Sequence, residues 1–181
     1  MKLVLIFSIL GLSPLFSQTT ETPTSDPIQT QAQKTDLNDS ASSEKRNSNE
    51  ITVEIIEHIK AIFTASSTAI DEKSATAAIK NINESTEKIL SLKELLEATE
   101  KPTAEEKKQC AVHMLKSESE ISEILKKMSQ TFDNNQEEIN KLIEPPLSKS
   151  KAKIAPTMML INRYYPHDEM LGYINALKES K

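Results

Sequence analysis

Cys110 and His113 stand three positions apart, one turn of a helix, so a thiolate and an imidazole there could reach one ion. Two ligands do not complete a zinc site, which takes four, and the other histidines, His58 and His167, are scattered along the chain. Cys-Ala-Val-His also lacks the second cysteine of a haem-attachment motif. Glu54 precedes His58 by four residues, the spacing of an ion pair on a solvated helix face. A carboxylate–histidine iron site wants the glutamate three residues before the histidine, where this chain has Ile55. The run Asp133-Asn134-Asn135-Gln136-Glu137-Glu138 offers oxygen ligands for calcium. Yet Glu138 falls where the EF-hand loop needs glycine, and Glu144 is reached only across the apolar Ile139 to Ile143. The run reads better as a solvated helix break. No catalytic, cofactor or metal site is expected.

The only cysteine, Cys110, lies on an apolar row with Met114, Ser117 and Ile121, which predicts a buried thiol facing the helix that carries Leu92 and Leu96. The rival reading is an intermolecular bridge, because an odd cysteine in an oxidising compartment invites a homodimer through Cys110.

Those residues need a scaffold, and the apolar spacing predicts an all-α one. From Glu50 onward Ile55, Ile59, Ile62, Ser66 and Ala69 recur in alternating four- and three-residue steps, with Ile56, Phe63 and Ile70 as a second row. Asp71-Glu72-Lys73-Ser74 makes a polar break, after which Ala75, Ala78, Ile82, Ser85, Ile89, Leu92 and Leu96 repeat the pattern. Lys101-Pro102 ends that helix, and Thr103 with Glu106 forms a capping box for the next. Its seam runs Cys110, Met114, Ser117, Ile121, Ile124, Met128 and Thr131, flanked by Ala111, Leu125 and Phe132. The stripe weakens at Asn134 and resumes at Ile139, Leu142 and Ile143, so residues 104–143 read as one helix or two. Pro145-Pro146 is expected to stop it, Lys149 to Lys153 to form a basic linker, and Pro156 to open a new helix through Tyr164. Pro166 opens a last one, through about Lys178. This apolar, aromatic end is expected to close over the long helices as a lid. The fold expected is an irregular bundle of four to six helices.

The bundle is expected over residues 50–181. Residues 1–17 read as a secretory signal peptide: Met1-Lys2, the apolar run Leu3 to Leu12, then Ser13-Pro14 and a small residue at Ser17. The run is too short to span a bilayer, so no membrane span is expected after cleavage before Gln18. Residues 18–49 are rich in Ser, Thr, Gln and Asn and bury too little to offset ordering, which predicts a disordered tail. Asn38-Asp39-Ser40 and Asn83-Glu84-Ser85 fit the N-glycosylation triplet of a eukaryotic secretory route. A single cysteine means no internal disulfide, so stability must come from packing. The net charge is −5, and loss of Lys2 with the leader leaves −6. That charge, with no tryptophan and few aromatics, argues against a nucleic-acid partner.

Residues 92–128, with Leu95-Leu96, Thr103-Ala104-Glu105-Glu106-Lys107, Met114-Leu115, Ile121, and Ile124-Leu125, resemble the later half of the SXP/RAL family of secreted nematode helical antigens. The family's aromatic, alanine-rich middle is missing. The resemblance implies a secreted helical domain of cation- or ligand-binding type, with no site residues to carry over. The residues themselves point to an exported, non-enzymatic binding or interaction protein with a protein partner. The alternative is a carrier of a small apolar ligand among Met114, Met128, Phe132, Met158, Met159 and Met170, or a weak cation binder.

Overall fold

The computed structural model describes the backbone of residues 46–132 and 137–179, and the side chains of residues 46–127 and 137–179. The expected signal peptide at residues 1–17, most of the expected tail with Asn38, the Asp133–Gln136 run and the side chains of Met128 and Phe132 lie outside the described residues. Five helices account for the described chain: α1 Ser48–Ser67, α2 Glu72–Glu97, α3 Ala104–Phe132, α4 Glu137–Tyr164 and α5 His167–Glu179. The domain is an all-α bundle, with no strand among the described residues.

Helix α1 starts two residues before the expected Glu50. Asn47 caps it, its side chain accepting from Glu50 N at 2.9 Å while Glu50 Oε2 accepts from Asn47 N at 3.1 Å. Asn47-Ser48-Asn49 has the composition of a tail, but asparagine is also a preferred N-cap, and here that property prevails. The polar break after α1 is real: α1 ends at Ser67, and Asp71 caps α2 through Ser74. Ile70, expected in the second apolar row, is 61 % exposed because it follows the end of the helix and leaves its register. Every member of the α2 seam from Ala75 to Leu96 is buried. Thr103 caps α3 as expected, giving its hydroxyl to Glu106 Oε2 at 2.8 Å and accepting from Glu106 N at 3.3 Å.

The next segment settles one open reading and corrects another. The stretch from Ala104 to Ile143 is two helices, α3 and α4. Helix α4 then continues through Pro145, Pro146 and Pro156, so the expected stop and basic linker are parts of one 28-residue helix. The reason is placement. Pro145 and Pro156 are exposed, and so are Lys141, Leu142 and Ala152, whose carbonyls lose their amide donors. Water can satisfy those carbonyls, while Ile143, Ser150, Ile154, Thr157, Met158 and Ile161 keep the opposite face buried. Packing therefore overrides the local cost of proline.

The helices pair in a parallel sense. Asn49 with Gln109, Glu57 with His113 and Lys60 with Glu120 climb α1 and α3 in the same direction. Thr86 with Ser150, Glu87 with Lys153 and Thr99 with Tyr164 do the same for α2 and α4. Helix α1 packs against both α2 and α3, α4 packs mainly on α2, and α5 packs on α3. The C-terminal end closes the bundle as expected, but with α5 alone, since residues 156–164 belong to α4. Ile55, Ile59, Ile82, Ile89, Leu96, Ile121, Ile154, Ile161 and Met170 fill the centre.

Candidate functional site

At one end of the bundle, the start of α1, the end of α2 and the start of α3 converge around an open cleft of about 260 Å³. Arg46, Asn47 and Ser48 line one side, and Thr99, Glu100, Lys101, Thr103 and Glu106 line the other. The lining residues are polar or charged, of both signs, although their carbon stems make up about half of the exposed surface. Arg46 is held by an ion pair to Glu54, and Glu106 is held by the Thr103 cap.

Ser48 connects the cleft to a buried hydroxyl cluster. It is 2 % exposed, and Thr52 lies one turn further along α1. Tyr165, in the two-residue connection between α4 and α5, directs its hydroxyl at Ser48 and Thr52. The geometry falls short of a hydrogen bond, leaving the buried Tyr165 and Thr52 oxygens unsatisfied. Burial pushes the Tyr165 phenol up to about 12, against the lesser influence of Ser48.

Cys110 is a buried free thiol, and burial pushes it up to about 12. The thiol is buried as expected, and the principal partners of α3 are α1 and α5. Position along α3 explains this. Gln109 and His113 face α1, Lys107 faces α5 with its Nζ 2.7 Å from Glu169 Oε2, and Cys110 falls between the two rows.

The structure does not bring Cys110 and His113 onto one ion. His113 Nε2 lies 3.1 Å from Glu57 Oε1, on the rim of the α1–α3 contact. Lys60 joins the same network, 2.6 Å from Glu57 and 2.7 Å from Glu120. Burial opposes the charge on Glu57, but hydrogen bonds from Lys60 and His113 outweigh it and hold the carboxyl below its usual value. His58 lies 3.9 Å from Glu54, as its spacing suggests. Among the described residues no group of acidic, histidine or cysteine side chains is placed to hold a metal.

The methionines of the carrier reading divide. Met114, Met158 and Met170 are core residues, whereas Met159 is 65 % exposed. The cleft residues Arg46, Ser48, Thr99 and Lys101 were not anticipated. Their one sequence signal was the Asn47–Glu50 box, which places a helix start where composition suggests a tail. No family model, no curated protein and no solved structure matches the chain.

Proposed function

We propose that this is an exported, non-enzymatic helical binding protein, and that its cleft between the ends of α1, α2 and α3 receives a polar segment of a partner. The observation that carries this reading is how the chemically capable side chains are used. Glu57, His113, Lys60, Glu120, Lys107 and Glu169 are engaged in helix-to-helix pairs, and the Cys110 thiol is buried. Such groups fasten a scaffold. The cleft instead offers the Lys101 ammonium beside a helix start, next to Thr99 and Thr103, whose hydroxyls are held by the Leu96 carbonyl and by Glu106. The resemblance of residues 92–128 to secreted helical antigens points the same way. The apolar-carrier reading is weaker, because Met159 faces solvent and does not share a wall with Met114 and Met170.

Native mass spectrometry of the exported full chain tests the reading. A co-purified component that is lost in Lys101→Glu supports it. A bare chain, or a component indifferent to that substitution, overturns the assignment of the cleft. N-terminal sequencing of the same sample should find a start at or near Gln18, and an intact Met1 would remove the export reading.

A further inference from the structure

Helix α5 is held to the bundle differently from the other four. Only Met170 and Ile174 of its 13 residues are buried, and its principal contact is α3. One ion pair, Lys107 with Glu169 at 2.7 Å, ties it across. Its anchor at the α4 end is the buried Tyr165, in the connection that precedes it. Gly172 sits in its middle, exposed, with no atom within 4 Å of where a Cβ would stand. That glycine therefore serves no close approach, and it weakens a helix already too short to be stable alone. On α3, one turn and two turns beyond Lys107, stand Cys110, Ala111 and Met114, each 5 % exposed or less.

We propose that α5 is a releasable strap, which swings from α3 about Tyr165-Pro166 while α1 to α4 stay folded, and so gates access to the α3 face bearing Cys110, Ala111 and Met114. Two independent features mark the strap as a weakly held element: few buried side chains and a helix interior broken by glycine. In the closed state α5 packs on α3, tied at Lys107, which shares a helix face with Cys110, Ala111 and Met114.

Cys110 reports the opening directly, because a buried thiol reacts only when uncovered. The full chain is treated with a small thiol reagent in rising sub-denaturing urea, alongside far-UV circular dichroism of global unfolding. The expected labelling rate depends far less steeply on urea than global unfolding does. Gly172→Ala should slow labelling about two- to fivefold, and Lys107→Ala should speed it about two- to fivefold. Ile89→Val, in α2 and remote from the strap, should leave the rate unchanged, although a globally gated reaction would quicken about fivefold. Labelling with the full urea dependence of global unfolding, or faster labelling in Ile89→Val, overturns the proposal.

Discussion

The hydroxyls of Thr86 and Ser150, 64 residues apart in the chain, meet at 2.6 Å in the buried contact between α2 and α4. Thr86 donates its own proton to the Ile82 carbonyl at 2.6 Å, which leaves the Ser150 hydroxyl to donate to Thr86 Oγ1. Ser150→Ala should cost about 0.5–1.5 kcal/mol in urea unfolding. Adding Thr86→Val should cost less than the sum of the two single changes, because the hydrogen bond the two hydroxyls share is lost only once. Strict additivity would mean that the two hydroxyls do not interact.

Pro156 offers a gain rather than a loss. It is exposed within α4 and denies the Ala152 carbonyl its donor without filling any core space. Pro156→Ala should raise stability by about 1–3 kcal/mol, less whatever entropy proline removes from the unfolded chain. A lower thermal midpoint would show that the ring, and not the helix, is what that position needs.

Acid should loosen the α1–α3 contact first. Glu57 is held below its usual pKa for the reasons above, and Glu120 is lowered chiefly by its bond from Lys60. A carboxyl depressed in the folded state stabilises above its unfolded value and loses that contribution as pH falls through the folded one. Stability should therefore hold above about pH 5 and decline below it. Glu57→Gln should flatten that decline in thermal midpoints measured across pH 3 to 7. An unchanged slope would place the acid sensitivity elsewhere.

The true start of the domain is testable by truncation. A chain beginning at Arg46 keeps the Asn47 cap and the buried Ser48, so its thermal midpoint should match that of the longer protein. Asn47→Ala should cost about 1 kcal/mol through the lost cap. Full stability in a chain beginning at Ile51 would show that the first turn of α1 contributes nothing.

The seam from Ala75 to Leu96 was legible because a face repeating every three and four residues has one physical meaning. The capping box at Thr103 was legible for a similar reason: its partners are three residues apart. What was hidden depends on distant chain. Periodicity says that Cys110 is buried, but not that its helix packs chiefly on α1 and α5. Pro145 and Pro156 look like helix ends until the packed face of Ile154 and Met158 outweighs them. The cleft was invisible because it assembles three helix ends, one of them inside a stretch whose composition resembles a tail.

The parallel pairing of α1 with α3 and of α2 with α4 has a kinetic consequence. Its defining contacts join residues 56 to 66 positions apart, each pair bridging an intervening helix. In an up-and-down bundle, neighbours dock as soon as a short loop turns, and folding takes microseconds to milliseconds. Here α1 and α2 can meet across a tight turn, but each must then wait for a helix that the chain supplies only after a long excursion. The entropy of closing that excursion is lost before any contact repays it. Refolding should run slower than helix content alone implies, with the α1–α2 hairpin forming ahead of the rest.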